Sequence, residues 1–310
     1  KVMVPVLGKS PEACLQDDEI RLVYEQGQFK LAYYNLHLPL SSLSVKELDI
    51  DQKAPHQACS EINADKNLLT GLMNKQHYIL SHWQETDHRL NFRRFFTING
   101  LKSLSIEKNE VFEEYHRFIL EQVKKGNFSG LRIDHIDGLM SPDAYLEKLR
   151  SSAGDSVYIV AEKILQENEA VKSTWPIEGT TGYDFLAMVN NLFFNAKSVP
   201  ALQKLWPVVH ESDTDPATFA YNCKKKILAD HFRGDLDNLY RVMETKGLLL
   251  FFDNETTSGI KEAMGEFLIC FPVYKLYAVD LPLSGNDALT VKNTIREAIH
   301  RNPSLKKPLL

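Results

Sequence analysis

Residues 129–164, SGLRIDHIDGLMSPDAYLEKLRSSAGDSVYIVAEKI, decide the fold of this chain. Residues 129–136 and 157–164 are short apolar stretches of the length that is typical of buried strands. Between them, Ser141 supplies a helix N-cap and Pro142 occupies the first helical position. The stretch therefore predicts a strand, a helix and a second strand, with the two strands parallel and the crossover right-handed.

The hydrophobic pattern continues this α/β organisation in both directions. Apolar residues alternate with polar ones at 19–24 and 28–34, and Gly27 between them predicts the turn of a β-hairpin. The other predicted elements are a strand at residues 2–7, helices at 110–123, 184–195 and 286–300, a strand end at 180–184 and a mostly helical stretch at 200–265.

Length, charge and cysteine usage exclude several classes of protein. The 310 residues suffice for about two domains or one barrel-sized unit. The net charge of −5 argues against a nucleic-acid-binding surface, and the apolar runs are too short to span a membrane. The four cysteines are scattered without zinc spacing. We therefore expect reduced thiols in a cytoplasmic protein, without a metal or cofactor.

Three ionisable residues at the ends of the two strands form the candidate catalytic group. Arg132 and Asp134 lie two residues apart on the first strand, so their side chains point to the same face. Glu162 occupies the same place on the second strand, where α/β folds open onto their active sites. Because neighbouring strands are about 4.8 Å apart, the two carboxylates can face each other at about 5–5.5 Å, as in a retaining glycosidase.

The surroundings suggest a role for each acid. Arg132 favours the ionised form of Asp134, which suits a nucleophile. The apolar residues 157–161 and the charge of Asp134 favour the protonated form of Glu162, which suits a general acid. A structural alternative stays open, because two acids and an arginine near strand ends also form ion pairs or cap the following helix.

Residues 76–101 are rich in aromatic and polar side chains. They include three histidines, a tryptophan and a tyrosine among arginines and asparagines. Aromatic faces stack on sugar rings while polar side chains bond to hydroxyls, so the stretch predicts a sugar- or nucleotide-binding loop. The alternative is a half-buried loop in which Arg93 and Arg94 form structural ion pairs.

Several strings resemble the α-amylase superfamily, which is glycoside hydrolase family 13. GLRIDH at 130–135 is similar to its second signature region, GxRxD, and VAE at 160–162 is similar to its third. The chain resembles the maltooligosyltrehalose synthase branch from about residue 2 to about residue 303. The strings that carry this narrower resemblance are PVLGKSPEACLQDDEIRL, QHYILSHWQETDHRLNFRRFFTING, GLRIDHIDGL, YIVAEKIL, GTTGYDFL and FLICFPVYKLY.

The resemblance implies a fold and an activity. The fold class is α/β, a partial (β/α)8 TIM-type barrel with a β-containing insertion and helical insertions. We expect a β-containing module at 1–75, a central barrel segment with the catalytic strands at 76–195, and a mostly helical insertion and return segment at 196–310. The implied activity converts the terminal α-1,4 bond of a maltooligosaccharide or glycogen-derived glucan into an α,α-1,1 bond, in trehalose biosynthesis.

The resemblance also implies roles for individual residues. Asp134 is expected to be the nucleophile, Glu162 the acid/base and Arg132 the residue that orients Asp134. The residues expected to line the sugar site are His135, Asp137, Gln76, His77, Tyr78, Asn91, Arg93, Arg94, Phe95, Lys163, Tyr183 and Asp184.

The chain departs from the superfamily pattern in two regions. The first signature region should precede residue 1, and the fourth, which carries a third catalytic carboxylate, should follow residue 310. We therefore expect an internal fragment with little activity by itself, whose partners include the missing parts of its parent chain. A hydrolase or 4-α-glucanotransferase of the same superfamily is the first alternative, and a non-catalytic carbohydrate-binding domain is the second.

Overall fold

A computed structural model describes residues 1–47, 49–166, 169–210, 215–251, 256–278 and 281–305. The chain divides into two compact units, each made of two segments. Unit 1 comprises Lys1–Ser103 and Lys226–Asn254, and unit 2 comprises Leu104–Lys225 and Glu255–Leu310. The predicted three-part division has boundaries after residues 75 and 195, and it stays a prediction about sequence modules.

Short strands and helices alternate along the described residues. The strands are β1 (Val2–Leu7), β2 (Ile20–Glu25), β3 (Gln28–Tyr33), β4 (Leu36–Pro39), β5 (Tyr78–His82), β6 (Arg94–Phe95), β7 (Ile98–Lys102), β8 (Gly130–Ile133), β9 (Tyr158–Ala161) and β10 (Gly179–Thr180). The α-helices are α1 (Pro11–Gln16), α2 (Ser42–Glu47), α3 (Pro55–Ala64), α4 (Lys66–Asn74), α5 (Thr86–Arg89), α6 (Asn109–Lys124), α7 (Pro142–Ala153), α8 (Tyr183–Leu192), α9 (Val199–His210), α10 (Pro216–His231), α11 (Arg233–Thr245), α12 (Thr257–Cys270) and α13 (Gly285–Arg301).

Unit 1 contains one parallel strand pair and one antiparallel sheet. Strand β1 pairs with β5 in parallel, and β2, β3 and β4 form a meander. The predicted hairpin is confirmed, with Gln26 and Gly27 in its two-residue loop at φ values of 53° and 79°. Positive φ at both positions gives the turn the twist that the flanking strands need.

The core of unit 1 joins these strands to helices α1, α3 and α4. Leu7 from β1, Leu22 from β2 and Leu80 from β5 are almost fully buried in it. Ile62 of α3 and Leu72 of α4 pack into the same cluster. Burial of this apolar surface is the main term that holds the meander against the parallel pair.

Unit 2 is built on the strand–helix–strand stretch that the sequence predicts. Strands β8, β9 and β10 form a parallel sheet in the order β10–β9–β8. The N-cap prediction for α7 is confirmed, because the Ser141 hydroxyl accepts a hydrogen bond from the Ala144 N–H at 3.3 Å. Phe112 of α6 and Leu149 of α7 are buried against Ile159 of β9, so both helices cover one face of the sheet.

The parallel strands confirm the α/β class. The described residues form a two-stranded and a three-stranded parallel sheet, with no closed barrel among them. The partial barrel therefore stays a proposal. The predicted strand end at 180–184 is shorter than expected, since β10 ends at Thr180 and α8 begins at Tyr183.

The C-terminal third is helical, as predicted from residues 200–265 and 286–300. Helices α9, α10, α11, α12 and α13 account for most of its described residues. All four cysteines are free thiols, as predicted. Within the described ranges, none of the helices combines the length and the apolar character needed to cross a membrane.

Candidate active site

Strand β8 points its side chains alternately to the core and away from it. Leu131 and Ile133 pack against the hydrophobic cluster, whereas the side chains of Arg132 and Asp134 are 62% and 69% exposed. The Arg132 Nη2 lies 3.8 Å from the Asp134 Oδ1. The period of two in a strand therefore places this cation and this carboxylate on one open face of the sheet, as predicted.

Glu162 lies beside Asp134 at the end of the neighbouring strand. Ile133 pairs with Ala161, and the Glu162 N–H donates to the Ile133 carbonyl at 2.7 Å as part of this last pairing. Paired residues of parallel strands carry their side chains on the same face, about 4.8 Å apart along the sheet. Asp134 and Glu162 thus extend from adjacent strands in matching positions.

A strained turn directs a backbone donor at the Glu162 carboxylate. His135 has a φ of 50°, in the left-handed region that non-glycine residues rarely adopt. Its N–H donates to the Glu162 Oε2 at 2.9 Å. The ring of His135 also packs edge to face against the ring of Tyr274, with 6.1 Å between the two ring centroids. Tyr274 belongs to the FLICFPVYKLY string at 267–277, which by itself predicts no role for this residue.

Asp137 and Lys163, both predicted to line the sugar site, bind each other. The Lys163 side chain is 1% exposed, and its Nζ lies 3.0 Å from the Asp137 Oδ2 and 2.7 Å from the Glu169 Oε1. The Tyr277 hydroxyl donates to the Asp137 Oδ1. Burial and this carboxylate raise the pKa of Tyr277. The group supports the turn that carries His135. Tyr277 is the last residue of the FLICFPVYKLY string, which by itself predicts no role for it.

Tyr183 and Asp184 begin helix α8 directly after β10. The Asp184 Oδ1 accepts a hydrogen bond from the Thr180 hydroxyl at 2.7 Å, which lowers the pKa of Asp184. Gly182 precedes the helix with a φ of 92°, a conformation that glycine adopts without strain. The Tyr183 ring is 40% exposed, so it is accessible at the end of the same sheet.

Two of the residues predicted from the 76–101 loop have packing partners in unit 1. The Gln76 side chain is buried; it accepts from the Ser41 N–H at 2.7 Å and donates to the Leu72 carbonyl at 2.6 Å. The Tyr78 hydroxyl donates to the Pro39 carbonyl at 3.0 Å, and burial raises the pKa of Tyr78 to about 12. Both side chains hold β5 to its surroundings.

Asn91 and His77 lie near the start of β1. The Asn91 side chain accepts from the Met3 N–H at 2.9 Å and donates to the Lys1 carbonyl at 2.9 Å. The His77 side chain is exposed, and its carbonyl accepts from the Val2 N–H at 3.0 Å. Asn91 therefore fixes the strand backbone, and the His77 side chain has no such role in what the structure describes.

The arginines of this loop differ in their surroundings. The Arg94 guanidinium donates to the Asn99 Oδ1 at 2.6 Å and to the His231 carbonyl at 3.0 Å. Phe95 is half-buried and meets the Phe96 ring edge to face at 4.6 Å. Arg93 is exposed and lines a cleft of about 470 Å³ with residues of α11. No sequence pattern predicts that α11 lies beside this loop.

The predicted residues therefore fall into two groups. Arg132, Asp134, His135, Asp137, Glu162, Lys163, Tyr183 and Asp184 belong to unit 2, and Gln76, His77, Tyr78, Asn91, Arg93, Arg94 and Phe95 belong to unit 1. Within unit 2, the parallel sheet brings the two acids, Arg132 and the His135 turn to one edge. That arrangement offers two carboxylates at the ends of adjacent strands, one of them held by a backbone donor, and glycosyl transfer uses a pair of carboxylates.

Comparisons with known proteins confirm the predicted resemblance. No family model matches the chain. A Mycobacterium tuberculosis (strain H37Rv) protein assigned as a maltooligosyl trehalose synthase is 38% identical over 133 residues, which are 43% of this chain and 17% of that protein. The solved maltooligosyltrehalose synthase of Arthrobacter ramosus matches all of this chain with a TM-score of 0.75 and 27% identity. A solved glycosyltrehalose synthase matches it with a TM-score of 0.75 and 28% identity.

The matches extend over only part of the relatives. The chain spans 35% of the Arthrobacter ramosus structure and 39% of the glycosyltrehalose synthase structure. It is similar in fold to maltooligosyltrehalose synthases over its whole length, and similar in sequence to the curated relatives over 133 residues.

Proposed function

We propose that this chain carries the nucleophile and the acid/base of a maltooligosyltrehalose-forming enzyme, a (1→4)-α-D-glucan 1-α-D-glucosylmutase. Its substrate is a maltooligosaccharide or a glycogen-derived α-1,4-glucan. The single observation that supports the proposal is the register of β8 and β9, in which Ile133 pairs with Ala161, the residues directly before Asp134 and Glu162. Paired carboxylates catalyse several reactions of glycosides. The similarity to proteins named maltooligosyltrehalose synthase supports this reaction over the others.

The first step breaks the terminal α-1,4 bond at the reducing end. An oxygen of Asp134 attacks the anomeric carbon while Glu162 gives its proton to the departing glycosidic oxygen. A glycosyl ester forms on Asp134 and a glucose molecule is released within the site. Arg132, whose Nη2 is 3.8 Å from the Asp134 Oδ1, orients this carboxylate for the attack.

The second step re-attaches the released glucose through another oxygen. The glucose turns and presents its anomeric hydroxyl, Glu162 takes the proton, and the oxygen attacks the ester carbon as Asp134 leaves. Two inversions at that carbon retain its α configuration, so the product has an α,α-1,1 bond. The His135 N–H, 2.9 Å from the Glu162 Oε2, holds the carboxyl group of Glu162 in position in this step.

Hydrolysis competes with re-attachment unless water is kept from the ester. A site that confines glucose needs side chains that bond to its hydroxyls and cover its ring faces. In unit 2, the Tyr183 ring, the His135 ring and Asp184 lie near the carboxylate edge and suit this task. We propose direct sugar contacts for these three residues, and positioning roles for Asp137 and Lys163 because they bind each other.

The proposal includes the parent protein. The chain spans 35–39% of the solved relatives, and the resemblance to the α-amylase pattern implies a third catalytic carboxylate that residues 1–310 do not match. We therefore propose that β8, β9 and β10 belong to a (β/α)8 barrel. By itself the chain is expected to turn over glucan slowly.

Covalent trapping tests the assignment of the nucleophile. The purified chain is incubated with an activated maltosyl fluoride whose ester intermediate is slow to break down, and peptides are analysed by mass spectrometry. A maltosyl adduct on the peptide that contains Asp134 is expected, and the Asp134→Asn variant is expected to lack it. An adduct on another residue, or equal labelling of the variant, would contradict the assignment.

Products from maltopentaose separate the proposed reaction from its alternatives. A glucosylmutase removes reducing ends and leaves chain length unchanged, which NMR detects as an α,α-1,1 anomeric signal. Release of reducing sugar would instead indicate a hydrolase, and redistributed chain lengths a 4-α-glucanotransferase. Fast trehalosyl formation by the isolated chain would contradict only the expectation of slow turnover. Intact glucan affinity without any turnover or adduct would favour a binding domain.

A further inference from the structure

Two adjacent threonines at the end of β10 use their hydroxyl groups differently. The Thr180 hydroxyl is engaged twice, since it accepts from the Gly182 N–H at 3.1 Å and donates to the Asp184 Oδ1 at 2.7 Å. The Thr181 hydroxyl oxygen is buried, and it has no hydrogen-bond partner among the residues that the structure describes. A buried hydroxyl without a partner is costly and uncommon in folded proteins. An acceptor within reach of this hydroxyl would remove the cost.

The backbone holds Thr181 against strand β9. The Thr181 N–H donates to the Ala161 carbonyl at 3.1 Å, and Thr180 pairs with Ala161 in the sheet. Ala161 is the residue directly before Glu162. Side chains in matching positions of neighbouring parallel strands lie on the same face, about 4.8 Å apart. The register therefore makes Thr181 the neighbour of Glu162 on the β10 side, as Asp134 is its neighbour on the β8 side.

The Glu162 carboxyl group is held from one side only. Strand β9 is the middle strand of the sheet, between β8 and β10. From the β8 side, the His135 N–H donates to the Glu162 Oε2 at 2.9 Å. The other oxygen, Oε1, has neither a hydrogen bond nor an ion pair in the described part of the chain. A carboxylate can accept up to about four hydrogen bonds. Oε1 therefore lacks a donor, and the hydroxyl of Thr181 on the next strand lacks an acceptor.

We infer that Thr181 is a positioning residue of the proposed reaction, and that its hydroxyl donates a hydrogen bond to the Glu162 Oε1 while the glycosyl ester exists. The inference rests on the proposed function, in which Glu162 has by then given its proton away and takes the next one from glucose. Rotation about the Cα–Cβ bond moves a threonine hydroxyl from one staggered position to another without moving the backbone. No proton passes to or from Thr181. Its hydroxyl and the His135 N–H together hold the carboxylate from both sides for the incoming proton.

The lifetime of the covalent adduct tests this role. The whole chain is labelled with the activated maltosyl fluoride and then given glucose, and the loss of the adduct is followed by mass spectrometry. Fluoride leaves without help from an acid, so Thr181→Val is expected to form the adduct within twofold of the wild-type rate. Breakdown by glucose needs Glu162, and we expect it to slow about tenfold, as the loss of a hydrogen bond to a charged group predicts.

Two control variants accompany this measurement. Thr181→Ser keeps the hydroxyl, and it is expected to restore breakdown to within twofold of the wild-type rate. Thr174→Val makes the same change at an exposed threonine of unit 2, and it is expected to leave both rates unchanged.

NMR of the threonine methyl groups tests the pairing without any turnover. In the isotopically labelled whole chain, the Thr181 methyl signal is expected to move together with the Glu162 carboxyl signal as the pH is lowered from 8. The reason is that a protonated carboxyl group no longer holds the rotated hydroxyl. Asp134, His135 and Asp184 are the other titratable groups on the flanking elements. Glu162→Gln leaves all three in place and is expected to abolish the movement.

The two measurements separate the failure of this inference from the failure of the proposed function. Equal adduct lifetimes in Thr181→Val and the wild type would overturn the role in the reaction. A Thr181 methyl signal that stays fixed, or that moves equally in Glu162→Gln, would overturn the pairing. A wild-type chain that forms no adduct on Asp134 would contradict the proposed function and the role of Thr181 in it, whereas the methyl signal still decides whether Thr181 and Glu162 pair.

Discussion

At the scale of the residue, His135 determines how the two acids are presented. A left-handed backbone conformation costs a non-glycine residue of order 1–3 kcal/mol. In His135 this conformation directs the backbone N–H at the Glu162 carboxylate, which accepts a hydrogen bond from it. The ring of His135 packs directly over Gly138, where an added Cβ would lie 2.5 Å from the ring Cδ2. Only a residue without a Cβ leaves room for the ring at this position.

Gly138→Ala is expected to disturb this turn. The new methyl group would overlap the His135 ring at 2.5 Å and 2.7 Å, so the ring or the turn must move. We expect a loss of about 1–3 kcal/mol in the free energy of unfolding, measured by urea denaturation. Gly179→Ala is the control, because nothing lies within 4 Å of its added Cβ. Equal effects of the two substitutions would contradict the role of the contact.

At the scale of the element, helices α6 and α7 are joined by a buried histidine. The His116 Nδ1 lies 2.8 Å from the Phe112 carbonyl, which only accepts, so Nδ1 carries the proton. The Nε2 then accepts from the Tyr145 hydroxyl at 2.9 Å. Burial lowers the pKa of His116, and it raises that of Tyr145 to about 12. The neutral imidazole is therefore the form that packs between the helices.

Stability is expected to fall in mild acid because of His116. The unfolded chain binds a proton at an ordinary histidine pKa of about 6.5, whereas the folded chain binds it only at lower pH. The contribution of neutral His116 to the free energy of unfolding is fully present above pH 6.5. Below pH 6.5 it is lost, by at most about 1.4 kcal/mol per pH unit. Urea unfolding between pH 5 and pH 7.5 measures this slope.

His116→Gln is expected to flatten the acid slope, because glutamine does not titrate. The exposed His300 on α13 gives a matched substitution, His300→Gln, that is expected to leave the slope as it is. If the slope survives in His116→Gln, the pH dependence has another source.

At the scale of the whole molecule, Lys163 ties together three distant segments of unit 2. Its Nζ is bound by Asp137, which follows β8, and by Glu169, which follows β9. The Tyr277 ring, more than 100 residues further along the chain, lies with its centroid 5.3 Å from the same Nζ. Contacts between such distant positions form only in the folded unit.

Lys163→Met is expected to destabilise unit 2 strongly. The two carboxylates would be left close together without their cation, and removing one partner of a buried ion pair costs about 3–5 kcal/mol. Thermal unfolding followed by circular dichroism measures the loss. Lys124→Met, at the exposed end of α6, is expected to change the stability by less than about 0.5 kcal/mol. A comparable effect of the two variants would show that the Lys163 pairings contribute little.

The sequence by itself determined the local elements and the chemistry of the strand ends. Period-two alternation placed Arg132 and Asp134 on one face, and the Ser141-Pro142 pair placed the start of α7. These features depend on neighbouring residues and on the parallel crossover that a strand–helix–strand stretch requires. The candidate nucleophile and acid/base could therefore be chosen from spacing, with their catalytic roles left as a proposal.

Tertiary structure alone decided which predicted side chains are open to a ligand. Gln76 and Lys163 are polar in sequence, yet both are buried among partners that lie 35 and 26 residues away along the chain. Tyr277 and α11 are placed beside Asp137 and Arg93 by packing between distant segments. Rules of residue spacing apply only within one helix or strand or between adjacent strands. The burial of a side chain depends on every segment that packs around that side chain, including segments distant in sequence.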